Sequence, residues 1–369
     1  MYVLTAVLTT LLSAGLTLLL VPIARRLAVR AGLVALPGAH RAHERPTPLA
    51  GGVAMLLAIL LPCLLTIACA RIWAAHAVSG QLAGPAWLPG SIRIHIPGMA
   101  RRADMALIIL AGAAALCVLG LADDRRPLGP WSKLIGQTAI VLAVVLLANL
   151  RVLTAAGEPW STILSTLWLV AIVNSINFMD NADGLAAGVT LICALALLAA
   201  AAGIGQLFVA GWLCLVVGAT AGFLLYNFPP ASIFMGDAGS MVLGYFLAVL
   251  SMLTTYYDPA HSTNKAYGVL APLVLLAVPL YDTASVMFIR LRERRNPMIG
   301  DRRHFSHRLR QRGMTARQVA LTVYLCTAVT AVAAVMLPHV PDWAAFLIAG
   351  QTLGVLGIIA ILESTEKAA

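Results

Sequence analysis

The 369-residue chain is 60% hydrophobic and only 11% charged, with a mean hydropathy of +0.90. Soluble globular domains average about 45–50% apolar and about 25% charged residues, so this composition excludes an ordinary soluble protein. The net charge is +10, but the basic residues are spread through loops between apolar segments. We therefore expect the lipid bilayer as a partner and no nucleic-acid partner.

A transmembrane helix needs about 20 apolar residues. The predicted fold is all-α and polytopic, with about 11 (10–11) transmembrane helices in a single membrane-embedded domain, residues 1–369. The apolar segments are 2–24, 49–70, 104–122, 134–150, 160–178, 185–225, 239–256, 266–290, 316–337 and 342–362. Because 185–225 is too long for one crossing, Gly203, Gly205 and Gln206 predict a hairpin within it. The first segment has no basic residues before it, so we expect a retained helix rather than a signal peptide.

The basic residues predict the orientation of the chain. With eleven crossings, consecutive loops alternate between the two sides of the membrane. All of the 25 lysines and arginines lie on one side except six: Arg71, Arg93, Arg101, Arg102, Arg151 and Lys265. The positive-inside rule makes the richer side cytoplasmic, with the N-terminus outside and the C-terminus cytoplasmic.

The polar motifs also lie in loops assigned to the cytoplasmic side, at about 25–48, 123–133, 179–186, 226–238 and 290–317. Among them are adjacent carboxylates, Asp123 and Asp124. Two neighbouring carboxylates repel each other unless a cation neutralises them, and hard oxygen ligands suit Mg²⁺. The alternative is local pairing with Arg125 and Arg126. Lys133 either faces the acidic pair or is an interfacial anchor.

A second motif places Asn174, Asn177, Asp180 and Asp183 three residues apart. Such spacing gives one polar stripe at a helix end, and polar groups at membrane depth usually mark a functional site. The alternative is an ordinary helix exit with capping residues.

Asp237 lies among small residues before an apolar segment, where it is either a metal ligand or a helix cap.

A third motif contains His304 and His307, which share a face if the segment is helical. With Arg302, Arg303 and Arg308 they are suited to clamp an anion. The alternative is that the arginines bind anionic lipid headgroups. A buried carboxylate within a span, Asp282, is either part of a functional site or the partner of Arg290.

Together these motifs resemble the polyprenyl-phosphate N-acetylhexosamine-1-phosphate transferases. This superfamily includes the initiators of O-antigen and teichoic acid linkage synthesis, and the phospho-N-acetylmuramoyl-pentapeptide translocase. The matching stretches are Pro46 to Gly52, Leu121 to Asp124, Asn174 to Leu185, Asn227 to Ser240, Pro279 to Asp282 and His304 to Leu309. Two positions depart from the family pattern. Asn181 replaces the first glycine of Asp-Gly-x-Asp-Gly, and Ser306 replaces one of three histidines. In having serine at this position, the motif resembles that of the initiating transferase branch rather than that of the peptidoglycan translocase.

The resemblance implies transfer of a phospho-N-acetylhexosamine, foremost GlcNAc-1-phosphate, from a UDP-sugar to undecaprenyl phosphate. UMP would be released with Mg²⁺ as cofactor, or Mn²⁺ in its place, at the cytoplasmic face of a bacterial inner membrane. One alternative is phospho-MurNAc-pentapeptide transfer, and an alternative of another class is a membrane transporter. A homodimer is left open.

The resemblance also implies residue roles in a direct displacement without an enzyme-bound intermediate. Asp237 would be the principal metal ligand, with Asn177 beside it. The expected catalytic residues are Asp123, Asp124, Asp180, Asp183, His304 and His307. The expected substrate-binding residues are Lys133, Asn174, Asn177, Asn227, Asp282, Arg302, Arg303 and Arg308.

Overall fold

The computed structural model describes residues 2–35, 46–76, 83–256, 265–294 and 304–364. Within these ranges the regular secondary structure is helical apart from one small antiparallel sheet, in which β1 (Val34–Ala35) pairs with β2 (Thr47–Pro48). The first seven helices are α1 (Tyr2–Arg30), α2 (Gly51–Ala75), α3 (Gly90–Arg93), α4 (Ile96–Arg101), α5 (Ala103–Arg125), α6 (Pro130–Leu147) and α7 (Trp160–Met179).

Eight further helices follow: α8 (Leu185–Gly203), α9 (Leu207–Asn227), α10 (Gly236–Leu253), α11 (Ala271–Leu275), α12 (Ala277–Arg292), α13 (Phe305–Gln311), α14 (Ala316–Met336) and α15 (Asp342–Ser364). Short 3-10 turns occupy Thr154–Ala156, Ala266–Leu270 and Leu337–His339.

In the described ranges, ten helices are long and apolar enough to cross a membrane, or eleven if the bent pair 266–275 and 277–292 forms one span. The predicted all-α polytopic fold is therefore confirmed, and the protein is a multi-pass membrane protein. The predicted hairpin is also present, because α8 ends at Gly203 and α9 begins at Leu207. The orientation of the termini stays a prediction.

Two predicted spans differ from the structure in their details. The helix expected over 239–256 begins three residues earlier, at Gly236, so that Asp237 lies within its first turn. The span expected over 266–290 is broken near Leu276 and bends by 63°. Pro272 and Pro279 flank this break, and each lacks the N–H that a continuous helix would use.

Helix α10 forms the centre of the bundle and is buried along nearly its whole length. It packs against α2, α5 and α7. Its contact with α2 is backbone to backbone, since a Cβ added to Gly52 would lie 2.2 Å from the backbone nitrogen of Gly239. The first turn of α10 is thereby held in a fixed place, and this turn carries Asp237.

Candidate active site

The acidic pair lies in the last turn of α5. One oxygen of Asp123 accepts the backbone N–H of Leu128 at 2.6 Å, which folds the short loop back toward α6. Its other oxygen lies 3.2 Å from the Nζ atom of Lys133 near the start of α6. The loop between α5 and α6 therefore brings an acid and a lysine together.

Lys133 is the centre of a cluster formed by four helices. Its ammonium group also donates to Oδ1 of Asn177 on α7 at 3.1 Å and to Oδ2 of Asp237 on α10. The ammonium ion is thus held by oxygen atoms of three side chains. We call Asp123, Lys133, Asn177 and Asp237 the charged cluster.

Asp237 is oriented on both sides of its carboxylate. While Oδ2 contacts Lys133, Oδ1 accepts the side-chain amide of Asn177 at 3.0 Å. The same amide nitrogen donates to the Ser240 hydroxyl at 2.8 Å. The position of Asp237 in the first turn of α10 favours a negative charge, because the free N–H groups of a helix start carry partial positive charge.

Asp124 contacts the backbone of α10 rather than the charged cluster. Its two oxygens accept the N–H groups of Asp237 at 3.0 Å and of Ala238 at 3.3 Å. This approach requires glycine at position 236, where φ is +65° and an added Cβ would lie 2.4 Å from an Asp124 oxygen. Asp124 therefore caps α10 from another helix and holds Asp237 in place. A direct catalytic role for Asp124 stays a prediction.

The oxygen atoms of the charged cluster suit a magnesium ion whose coordination is completed by substrate. Among the described residues, no group of three or more His, Cys, Asp or Glu side chains is arranged to hold a metal alone. Asp124 faces the backbone, which leaves Asp123, Asp237 and the Asn177 amide as oxygen donors. Mg²⁺ commonly binds one or two carboxylates together with phosphate and water oxygens. The Lys133 ammonium group shows that these oxygens already stabilise a cation.

Other polar residues of the motifs connect the two loops beside the cluster. Asn227 is only 2% exposed; it accepts the N–H of Gly184 at 3.0 Å and donates to the carbonyl of Ile233 at 2.9 Å. Asp183 accepts the N–H of Ala231 at 2.9 Å. These two residues join the turn after α7 to the turn before α10, so the structure gives both a bridging role. Their predicted catalytic and substrate roles stay predictions.

Asn174 and Asp180 lie on either side of Asn177 along the chain. Asn174 donates to the Gln137 side chain at 3.0 Å and to the Val170 carbonyl at 2.8 Å, one turn deeper than the cluster. Asp180 follows the last residue of α7, and its N–H donates to the Asn177 carbonyl at 3.2 Å. Gln137 could not be singled out from the sequence, because one glutamine in an apolar span forms no motif.

The stretch Pro46 to Gly52 supports the turn before α10. The N–H of Phe234 donates to the Pro48 carbonyl at 2.9 Å. In return, the N–H groups of Gly51 and Gly52 donate to the carbonyls of Phe234 and Met235 at 2.9 and 3.1 Å. This stretch thus fixes the segment that leads into Gly236 and Asp237.

Asp282 is completely buried and holds the start of α13. One of its oxygens lies 2.8 Å from Nδ1 of His304, and the other accepts the N–H of Phe305 at 3.1 Å. Because a carboxylate can only accept, Nδ1 carries the proton and Nε2 is left for another partner. The predicted alternative partner, Arg290, lies over the Phe178 ring at 5.9 Å. Asp282 thus orients the histidine motif.

Arg308 contacts residues of α12 and α15. Its guanidinium lies 2.8 Å from Glu363 at the end of α15 and 3.3 Å from the Ser285 hydroxyl. Glu363 also accepts the Tyr281 hydroxyl at 2.7 Å. A phosphate-binding role for Arg308 stays a prediction. Sequence reasoning missed Glu363, although a lone carboxylate at the end of an apolar span was the signal available.

Two other predicted residues of the histidine motif, Arg302 and Arg303, lie outside the described residues. His307 is buried, and its N–H donates to the His304 carbonyl at 3.0 Å. The predicted sharing of one face by the two histidines agrees with this turn. Their contact with phosphates stays a prediction.

Comparison with known proteins identifies the family. The family model described as glycosyl transferase family 4 matches residues 106–255. The chain is 33% identical to the decaprenyl-phosphate N-acetylglucosaminephosphotransferase of Mycolicibacterium smegmatis, over 92% of this chain and 82% of that protein. The chain belongs to the polyprenyl-phosphate N-acetylhexosamine-1-phosphate transferase superfamily.

Relatives in other bacteria agree with this membership. A probable undecaprenyl-phosphate N-acetylglucosaminyl 1-phosphate transferase of Bacillus subtilis is 29% identical over 90% of this chain and 84% of its own length. The undecaprenyl-phosphate alpha-N-acetylglucosaminyl 1-phosphate transferase of Yersinia pestis is 28% identical over 89% of this chain and 84% of its own length. The region matched by the family model contains the whole charged cluster, whereas Asp282, the histidine motif and Glu363 lie beyond it.

Proposed function

We propose that this transferase moves GlcNAc-1-phosphate from UDP-GlcNAc to undecaprenyl phosphate and releases UMP. The observation that carries the proposal is the charged cluster, in which Asp123, Asn177 and Asp237 from three helices surround the ammonium group of Lys133. The names of the relatives support a polyprenyl phosphate acceptor and an N-acetylglucosamine donor.

The proposed reaction is a direct displacement at phosphorus. An oxygen of the lipid phosphate attacks the β-phosphorus of the UDP-sugar, and the bond from that phosphorus to the bridging oxygen breaks. UMP leaves with the electron pair of that bond. Phosphoryl transfer requires alignment and charge neutralisation more than covalent help from the protein. A lipid phosphate that is largely ionised near neutral pH needs no enzyme-bound intermediate.

The chain supplies cations and ligands for this step. Asp237, Asp123 and Asn177 would hold Mg²⁺, which when bound neutralises the diphosphate and polarises its phosphorus. Lys133 contributes a second positive charge, which can neutralise the negative charge that develops on the leaving UMP oxygen. Asp124 keeps Asp237 in position through the backbone of α10. His304, with its Nδ1 atom held by Asp282, presents Nε2 toward a phosphate or sugar oxygen.

We also propose that the site faces the cytoplasm of a bacterial cell from its inner membrane. This is the side on which a nucleotide sugar is available and on which most arginines and lysines of the loops are expected. The charged cluster lies at helix ends, where a water-soluble donor can meet a lipid phosphate. The transporter alternative loses its basis, because the polar side chains gather at one end of the helices and the superfamily is one of transferases.

A donor panel tests the proposal. Purified protein is supplied with undecaprenyl phosphate, Mg²⁺ and, separately, UDP-GlcNAc, UDP-GalNAc and UDP-MurNAc-pentapeptide, and UMP release is measured. We expect release with UDP-GlcNAc that requires both the lipid phosphate and the divalent cation. Release only with UDP-MurNAc-pentapeptide would instead support the alternative transferase, and release with none would overturn the proposal.

A further inference from the structure

A hydrogen bond connects two motifs that lie far apart in the chain. The Ser306 hydroxyl, in the first turn of α13, donates to the side-chain oxygen of Asn181 in the turn after α7. Ser306 is completely buried, with 0% of its surface exposed. These are also the two positions at which the chain departs from the pattern of the family it resembles. The two departures are therefore in contact.

This bond closes a ring of contacts around His304. Asn181 donates through its amide to the Phe178 carbonyl at 2.7 Å. The Phe178 ring meets the His304 imidazole edge to face, with 5.9 Å between ring centroids. Asp282 also holds His304, through Nδ1 at 2.8 Å. His304 is thus fixed from α12 by a carboxylate and from α7 through Phe178 and the bond between Asn181 and Ser306.

We propose that Asn181 and Ser306 form a positioning pair that sets His304 for phosphosugar transfer. The inference rests on the proposed function and concerns a coupling that neither motif predicts alone. The coupling is one of size as well as hydrogen bonding. A buried serine leaves room for the asparagine side chain, whereas a histidine at 306 needs the space that glycine at 181 would leave.

The first test is a double-mutant cycle with Asn181→Ala, Ser306→Ala and the double variant. A buried hydrogen bond contributes about 0.5–1.5 kcal/mol, which corresponds to roughly twofold to tenfold in rate. We expect each single variant to lower kcat by about that factor while the donor KM changes less than twofold. The double variant should be no slower than the slower single variant, since both remove the same bond. If the losses of the two single variants multiply in the double variant, the two residues do not act as a pair.

The second test exchanges the pair for the family residues. Ser306→His alone should be severely impaired, because the imidazole meets the Asn181 side chain. Adding Asn181→Gly should recover at least about fivefold in kcat. If the double exchange is no faster than Ser306→His alone, size coupling is excluded.

Ser251→Ala provides a matched control. This buried hydroxyl accepts the indole N–H of Trp168 at 3.0 Å, near the far end of α10. We expect the kcat of this control to stay within twofold of the parent protein. If Ser251→Ala loses as much kcat as Ser306→Ala, the Ser306 effect reflects the loss of any buried hydroxyl. Melting temperatures in detergent identify variants that fail to fold. A parent protein that is inactive with every donor would refute the proposed function, whereas an active parent with unaffected pair variants would refute only the pair.

Discussion

Asp282 and His304, 22 residues apart in the chain, meet through a 2.8 Å contact between a carboxylate oxygen and Nδ1 of the imidazole. Both side chains are buried. The second Asp282 oxygen accepts the N–H of Phe305, so one side chain sets both the ring orientation and the start of α13. A carboxylate in a transmembrane helix thereby acts through a residue of a neighbouring loop.

Replacing this carboxylate tests its orienting role. Asp282→Asn keeps the size but removes the charge and supplies only one acceptor for two donors. We expect kcat to fall about 10- to 100-fold, because hydrogen bonds to charged groups contribute about 1.5–3 kcal/mol. The control is Asp104→Asn, an 86% exposed side chain paired with Arg71 at the opposite end of α5. Activity of Asp282→Asn equal to that of the control would contradict the role.

The neighbouring acids Asp123 and Asp124 should behave differently when each is replaced by asparagine. Asp123→Asn removes charge next to Lys133, so we expect a loss of at least about 100-fold in kcat. Asp124→Asn keeps one acceptor for the α10 backbone, and we expect a loss of about tenfold or less, with stability lower by about 0.5–2 kcal/mol. Steady-state kinetics and melting temperatures measure both effects. A greater loss of kcat for Asp124→Asn than for Asp123→Asn would mean that Asp124 contacts substrate directly.

Lys133→Met tests the cation-binding character of the charged cluster without an activity assay. The variant leaves the carboxylates of Asp123 and Asp237 without their ammonium partner. We expect a loss of about 1–3 kcal/mol in stability when divalent cations are removed, since partly buried carboxylates are left uncompensated. Because Mg²⁺ can replace the missing charge, it should raise the melting temperature of the variant more than that of the parent protein. If Mg²⁺ does not raise the melting temperature of Lys133→Met, a metal site at this cluster is contradicted.

Glu363→Gln tests whether the end of α15 positions the histidine motif. The amide still accepts the Tyr281 hydroxyl but no longer neutralises Arg308. We expect a threefold to tenfold lower kcat with little change in KM. Glu158→Gln is the matched control, because Glu158 also pairs with an arginine, Arg151 at 2.7 Å, at the other end of the helices. Equal effects of the two substitutions would show that α13 does not depend on this contact.

The spans and the hairpin at Gly203 to Gln206 were predictable, because length and hydropathy directly reflect the thickness of a bilayer. The start of α10 was not. Gly236 is a weak helix former and Asp237 is polar, so the sequence favoured a later start. In the structure, Asp124 caps these first residues from another helix. The break near Leu276 is different, because Pro272 and Pro279 flank it and each lacks the N–H that a continuous helix would use.

The residue types of the charged cluster, and their place on one side of the membrane, could be predicted from the sequence. Which side chains contact one another could not. Asp123, Asp124, Asp183 and Asn227 look alike in sequence, yet only Asp123 contacts Lys133 in the described chain. All four accept backbone N–H groups. Local sequence cannot distinguish a carboxylate that meets substrate from one that holds a loop, since the choice depends on which backbone lies opposite.

The fate of the donor's β-phosphate tests the proposed displacement most directly. Purified protein receives UDP-GlcNAc labelled with ³²P at the β-phosphate, undecaprenyl phosphate and Mg²⁺, and the lipid and aqueous fractions are separated. We expect label in the lipid fraction and unlabelled UMP in water, and we expect both to form at least about 100-fold more slowly with Asp237→Asn. Label found in aqueous UDP, or transfer that persists at the parent rate in Asp237→Asn, would contradict the proposed displacement.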